Sequence, residues 1–103
     1  MRGMFTKCEQ FNVNIGSWIT SSVADMAFMF SYTSTFNKNI ANWDTSSVTT
    51  LHAMFYYASA FDQDLSRWAT PKVIYGMNMF SYCGIHPDHK TKFQIREAIL
   101  RAD

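Results

Sequence analysis

Residues 42–65 read N-W-D-T-S-S-V-T-T-L-H-A-M-F-Y-Y-A-S-A-F-D-Q-D-L, and related stretches stand 25 residues before and 25 residues after them. Large apolar residues keep this interval throughout: Trp18, Trp43 and Trp68; Val23, Val48 and Val73; Phe11, Phe36 and Phe61; Ile15, Ile40 and Leu65; and the Met-Phe pairs at 29–30, 54–55 and 79–80. A fixed period of this kind is typical of repeat architectures, in which each repeat buries its apolar face against the next one.

The composition of each repeat predicts an α/β fold. We assign a short strand to S-S-V-T-T-L (46–51) and a helical or 3₁₀ turn to A-M-F-Y-Y-A (53–58). One amphipathic helix per repeat is the alternative, since Val48, Leu51 and Phe55 also fit a helical spacing. Abundant Ser, Thr, Asn and β-branched residues argue against a long helix. The prediction is a short solenoid of about three 25-residue coils with short parallel strands and helical turns.

The repeats predict two regions. Residues 1–84 form the repeat solenoid, which starts in the middle of a repeat and has full units from Trp18, Trp43 and Trp68. Residues 85–103 form a carboxy-terminal capping helix, because Pro87 suits a first helical turn and apolar residues follow at helical spacing. The first coil lacks a polar cap, so we expect either a fragment or a protein partner that covers this end.

The repeat resembles that of the bacterial surface protein (BspA-like) family. The similarity rests on W-D-T-S-S-V-T-T-L-H-A-M-F-Y-Y-A-S-A-F-D-Q-D-L, and it extends over about residues 1–84. Such 25- or 26-residue leucine-rich-repeat-like units occur in mycoplasma-type surface lipoproteins and in protist and algal repeat proteins. The resemblance implies a right-handed leucine-rich-repeat-like solenoid used for adhesion or protein recognition, and it implies no catalytic residues. Tyr32, Tyr57 and Tyr82 depart from the small residue common at their position.

Charge and cysteine use exclude several classes of partner. The net charge of +1 provides no single-sign field for nucleic acid or an anionic membrane. No apolar run approaches the roughly 18 residues of a membrane span.

Cys8 and Cys83 are three periods apart, so stacked coils would separate their backbones by about 14 Å, against about 7 Å for a disulfide. Free cysteines and the lack of a signal peptide favour an intracellular or organellar assembly, whereas the resemblance favours the cell surface.

Motifs for catalysis or metal binding are weak. Cys83, His86 and His89 have zinc-like spacing but lack a fourth ligand. Asp62 and Asp64 could suggest calcium, yet the equivalent positions are amides. A flat hydroxyl face along Thr20, Thr45 and Thr70 is interrupted by Lys72. No nucleophile elbow, zinc-protease motif or phosphate loop is present. We therefore predict no enzyme activity, no metal and no cofactor.

Aromatic residues are the candidate binding site. Three tyrosines share one repeat position, and further aromatics stand where other repeats have smaller or polar residues; the full set is Tyr32, Tyr57, Tyr82, Phe28, Tyr56 and Tyr75. Tyrosine suits interfaces because its ring is apolar and its hydroxyl bonds to water or to a partner. The plain alternative is that these rings only stack over the core. We predict a non-catalytic protein-interaction or scaffold module, an accessory subunit or fragment docked in a larger assembly. An adhesin fragment or a glycan-binding module is the alternative.

Overall fold

The computed structural model describes residues 1–93, and in this range successive repeats lie on one another in register. The N–H of Phe30 donates to the carbonyl oxygen of Met54 at 2.8 Å, and the N–H of Phe55 donates to that of Met79 at 2.9 Å. Similar bonds join other residues 24 apart along the same segment. Each repeat is therefore one layer, and residues 25 apart form a column that runs through the layers.

The predicted α/β architecture is wrong. The described residues contain no strand and no α-helix; they contain isolated parallel bridges from Asp25 to Thr50 and from Thr50 to Tyr75, and one 3₁₀ helix, Pro87–His89. The predicted short parallel strands and helical turns do not form. The prediction of a leucine-rich-repeat-like solenoid built from them is therefore also wrong. The predicted capping helix spans residues 85–103. Within residues 85–93 the structure contains only the 3₁₀ helix Pro87–His89, and residues 94–103 lie outside the described residues.

Left-handed backbone explains why neither strand nor helix forms. Phe28 and Tyr32 have φ values of 59° and 58°, and Ala53 and Tyr57 have 51° and 58°. Two left-handed residues, four positions apart in each repeat, interrupt both extended and right-handed helical backbone in this segment. Between these positions the chain makes consecutive tight turns, as where the N–H of Tyr56 donates to the carbonyl oxygen of Ala53 at 3.2 Å. About half of the N–H groups in this segment thus close turns inside one layer, whereas the others join layers.

The core consists of columns of aromatic and aliphatic side chains. Phe30, Phe55 and Phe80 are stacked, with ring centroids 5.4 and 5.8 Å apart, and Phe36 and Phe61 stack beside them at 5.9 Å. Fully buried aliphatic columns surround these rings: Met29, Met54 and Met79; Ile40 and Leu65. Burying a large apolar side chain stabilises the fold by about 1.5–3 kcal/mol, so these columns are the main source of cohesion between layers.

The buried indole N–H groups and several buried threonine hydroxyls donate hydrogen bonds to backbone carbonyl groups of a neighbouring layer. The indole N–H of Trp43 donates to the carbonyl oxygen of Ile15 at 3.0 Å, and that of Trp68 donates to Ile40 at 3.1 Å. Thr20, Thr45 and Thr70 are buried, and each donates its hydroxyl to a carbonyl oxygen farther along the chain. These threonines therefore cannot form an exposed hydroxyl face.

An amide and carboxylate column runs along one edge. The N–H of Asn37 donates to Oδ1 of Asn12, and the N–H of Asp62 donates to Oδ1 of Asn37, both at 2.9 Å. The N–H of His86 continues the series by donating to Oδ1 of Asp62 at 2.8 Å. Asn12, Asn37 and Asp62 share one repeat position, and their side chains form a stacked polar column.

The segment 86–93 lies on the last layer. The N–H of Leu65 donates to the carbonyl oxygen of His89 at 2.8 Å. The ring of Phe93 occupies the space beside Gly76, where an added Cβ would come within 2.7 Å of Cζ. Gly76 therefore departs from the Met or Leu of the other repeats because an aromatic ring fills its side-chain position.

Candidate functional site: a tyrosine ladder

Tyr32, Tyr57 and Tyr82 form one stack, which we call the tyrosine ladder. The ring centroids of Tyr32 and Tyr57 are 5.0 Å apart with planes at 7°, and those of Tyr57 and Tyr82 are 4.5 Å apart at 15°. The interlayer hydrogen bonds produce this arrangement: the N–H of Tyr32 donates to Tyr56 at 2.8 Å, and the N–H of Tyr57 donates to Ser81 at 3.0 Å. The ladder is thus a direct result of layer stacking.

The tyrosine ladder lies at the surface. Tyr32 and Tyr57 are 41% and 38% exposed, and Tyr82 is 69% exposed. Tyr56 is half-buried and stands nearly perpendicular to the ladder, at 88° to Tyr57 with the centroids 4.8 Å apart. Both faces of the Tyr57 ring are covered by its neighbours. The ladder therefore offers the surroundings mainly ring edges and phenol groups, with an open ring face at Tyr82.

The surroundings of Tyr56 and Tyr57 favour the neutral form of these two phenols. Partial burial, followed by repulsion from the neighbouring phenols, raises the pKa of Tyr56 and of Tyr57 above the ordinary value of 10.0. The N–H of Tyr57 is already committed to the next layer, so its neutral hydroxyl is the polar group that remains for a partner. A neutral phenol both donates and accepts hydrogen bonds.

The tyrosine ladder uses a strained backbone position. All three tyrosines have φ = 58°, and Lys7, one layer earlier in the same column, has φ = 61°. A second left-handed column contains Gly3, Phe28, Ala53 and Asn78. Glycine and asparagine are the residues that adopt this conformation most readily. The second column includes both of them, whereas the tyrosine column has a long side chain in every layer.

The two other predicted residues lie together in a second place. Tyr75 lines an open depression of about 500 Å³ with Arg2, Thr50, His52 and Met77. Phe28 packs its ring against His52 at 82°, with centroids 5.0 Å apart, and the Arg2 guanidinium lies 5.2 Å from the Phe28 centroid.

The predicted aromatic set therefore divides into the Tyr32, Tyr56, Tyr57 and Tyr82 cluster and this depression. That any of these residues binds a partner stays a prediction. Sequence reasoning missed Lys7 and Arg2, although the 25-residue alignment places Lys7 in the tyrosine column.

The residues considered for metal binding make hydrogen bonds and contacts within the chain. The Nδ1 atom of His89 lies 2.9 Å from Oδ1 of Asp62, and His86 accepts a hydrogen bond from the N–H of Asp88. The Cys83 thiol lies 3.6 Å from the carbonyl oxygen of Phe61, and burial raises its pKa to about 11. Cys8 and Cys83 are both free thiols. Within residues 1–93, no three His, Cys, Asp or Glu side chains are placed to hold a metal ion.

The Asp62 carboxylate makes two contacts with the segment 86–93 that the sequence did not predict. Its carboxylate accepts the N–H of His86 and contacts the His89 ring, and these two interactions, in that order, lower its pKa below the ordinary 3.8. The side chain of Asp62 thus joins the repeat that begins at Trp43 to the segment 86–93.

Across residues 1–93, no helix combines the length and apolarity that crossing a bilayer requires.

Comparison with known proteins identifies a family. No curated protein and no solved structure matches the chain. The family described as "Mycoplasma protein of unknown function, DUF285" matches residues 1–97. This match confirms the resemblance at the level of a mycoplasma-type repeat family, while the leucine-rich-repeat part of the resemblance is not confirmed. Because the match spans nearly the whole sequence, the chain belongs to the DUF285 family of Mycoplasma proteins of unknown function.

Proposed function

We propose that this chain is a non-catalytic protein-binding module and that the tyrosine ladder is its contact surface. The observation that carries the proposal is the placement of three exposed, stacked tyrosines at a left-handed backbone position. Whether the module acts as an accessory subunit of a larger assembly or in adhesion stays a prediction.

The energetic argument compares strain with stacking. A left-handed non-glycine residue costs of order 1–3 kcal/mol. An aromatic pair contributes about 0.5–1.5 kcal/mol beyond the area that it buries. The tyrosine ladder contains three such residues and two stacked pairs. Three such residues cost about 3–9 kcal/mol and two pairs contribute about 1–3 kcal/mol, so over most of this range stacking offsets only part of the backbone strain. Glycine would adopt this left-handed conformation with less strain. We therefore infer that the phenol side chains are present for contacts outside the chain.

The chemistry of the surface suits a protein partner better than a sugar. Interfaces are enriched in tyrosine and depleted in charge at their centres, and Lys7 is the one charged residue in the ladder's column. A sugar ring stacks on the open face of an aromatic ring; Tyr82 has such a face, but both faces of Tyr57 at the centre of the ladder are covered. Ring edges and neutral phenols instead fit the carbonyl groups and apolar side chains of a polypeptide.

The test is a selection of binders with matched variants. A random-peptide display library is selected on the purified chain, and the enriched peptides are titrated against the parent, Tyr57→Ser and Ile19→Ser. Ile19 is 90% exposed and lies outside the ladder's column, so it controls for the loss of a surface apolar residue. We expect Tyr57→Ser to weaken binding by about tenfold or more, as at interface hot spots, and Ile19→Ser to leave it unchanged.

Two results would contradict the proposal. One is that no enriched peptide loses affinity when a ladder tyrosine is replaced. The other is that a glycan array shows sugar binding that depends on the ladder while peptides do not bind, in which case the glycan-binding alternative is correct.

A further inference from the structure

Tyr82 is the most exposed tyrosine of the ladder, and unlike Tyr57 it has a stacked ring on one face only. Tyr57 lies between Tyr32 and Tyr82, whereas Tyr82 stacks on Tyr57 on one side. Tyr56 approaches Tyr82 nearly perpendicularly, at 78° with centroids 6.2 Å apart, so it does not stack on the other side. The exposed fraction rises from 38% at Tyr57 to 69% at Tyr82. Among residues 1–93, no other aromatic ring lies on the outer face of Tyr82.

The face of an aromatic ring is the negative part of its quadrupole and attracts cations within about 6 Å of the centroid. Two rings of this chain already hold one. The Arg2 guanidinium lies 5.2 Å from the Phe28 centroid, and Nζ of Lys90 lies 5.9 Å from the Phe80 centroid. Over Tyr82, the most exposed of these aromatic rings, no cation of the described chain is found.

No charged group is paired with Tyr82 in residues 1–93, where this ring takes part in no cation–π contact. The rings behind Tyr82 add polarizable π-electron density and no positive charge, since Tyr57 and Tyr32 stack in series with it. The outer face of Tyr82 is therefore an electron-rich surface that no group in residues 1–93 neutralises.

We propose that the open face of Tyr82 receives a cationic side chain of the bound polypeptide, with arginine preferred over lysine. A planar guanidinium can lie flat on the ring and loses less hydration than an ammonium group. The partner class is thus a polypeptide that places an arginine at the end of the tyrosine ladder. This inference rests on the proposed function and specifies which chemistry the ladder selects.

The experiment is a double-mutant cycle with peptides from the display selection. For an enriched peptide that contains arginine, the Arg→Gln peptide is compared with the parent peptide on four proteins: the parent chain, Tyr82→Leu, Tyr82→Phe and Tyr32→Leu. Removing the arginine should weaken binding to the parent chain by about two- to fivefold, the range of one exposed cation–π contact. The same change should have no effect on Tyr82→Leu, because the ring face is already gone.

The variants separate the ring face from general damage to the ladder. Tyr82→Phe keeps the face and should retain the arginine effect, and Tyr32→Leu should retain it because Tyr32 lies at the far end of the stack. Near-ultraviolet circular dichroism checks that all variants keep the parent fold. The inference is overturned if the arginine effect persists in Tyr82→Leu, or if ladder-dependent peptides are enriched without any cation. In the second case the proposed function stands and the arginine preference falls, whereas loss of all ladder-dependent binding removes both.

Discussion

The buried phenylalanine columns and the exposed tyrosine ladder are built by the same operation and have opposite consequences. Both repeat every 25 residues and both stack with centroids 4.5–5.8 Å apart. Phe30 and Phe55 are fully buried, whereas Tyr32 and Tyr57 are about two-fifths exposed and occupy left-handed backbone. The first set joins the layers, and the second presents side chains to the surroundings. The comparison teaches that a shared period does not imply a shared role.

The largest loss of stability should follow the removal of a buried ring. Trp43 is 3% exposed, donates to Ile15 and stacks between Trp18 and Trp68. Trp43→Ala should lower the free energy of unfolding by about 3–5 kcal/mol, because it leaves a cavity in the core and removes the indole hydrogen bond to Ile15. Urea denaturation measures the change. Trp18→Ala, in the same column but 39% exposed, is the matched control and should cost clearly less. Equal losses would show that column position, not burial, sets the cost.

Layer spacing can be tested apart from ring stacking at Gly84. A Cβ added there would lie 2.2 Å from the carbonyl oxygen of Ser59, which is backbone and cannot rotate away. Gly84→Ala should therefore destabilise the chain by about 1–3 kcal/mol, as overpacking does. The melting temperature is the readout. Gly3→Ala is the comparison variant, since the nearest non-adjacent atom to its Cβ is 3.6 Å away and its cost is limited to a left-handed φ. An unchanged melting temperature for Gly84→Ala would contradict the close approach of these layers.

The amide and carboxylate column predicts a pH effect at Asp62. The folded-state pKa of Asp62 is lowered, first by the N–H of His86 and then by His89. Its contribution to stability is therefore present above the ordinary carboxyl pKa and is lost as the pH falls through the lowered one. Asp62→Asn keeps the acceptor oxygen, as Asn12 and Asn37 do, and removes the charge. The parent should be the more stable protein at neutral pH, and the difference should disappear in acid when unfolding is measured from pH 7 to pH 2. A pH-independent difference would mean that the carboxylate charge is not involved.

A smaller effect than at Trp43 is expected at the centre of the ladder. Tyr57→Ser removes two stacked pairs of about 0.5–1.5 kcal/mol each and keeps the left-handed strain, so the free energy of unfolding should fall by about 1–3 kcal/mol. Chemical denaturation beside Trp43→Ala gives the direct comparison. Should Tyr57→Ser unfold the chain, the ladder would be part of the core, and the proposal that it serves a partner would lose its support.

Part of this structure could be predicted from the residues. The register of Trp43, Phe55 and Phe61 on their equivalents followed from the interval alone, as did the polar column through Asn37. The strands and helical turns did not follow. Val48, Thr49 and Thr50 have strand propensity and Met54 and Phe55 tolerate a helix, but the turn chemistry between layers overrides both preferences. Nothing about Tyr57 or Phe28 as residue types suggests a positive φ.

The candidate site shows the same division. The amino-acid sequence by itself determined the 25-residue period, the identity of each column and the alignment of three tyrosines, because a repeat must place equivalent residues on one another to bury its apolar face. The tertiary structure alone decided which columns are covered and which face outward. It also decided that the tyrosines stack face to face with Tyr82 open, and that Asp62 holds the segment above it. The physical reason is that hydrogen bonds between layers accompany left-handed turns that the propensities of Phe28, Ala53 and the three tyrosines do not favour, and those turns set the direction of the side chains.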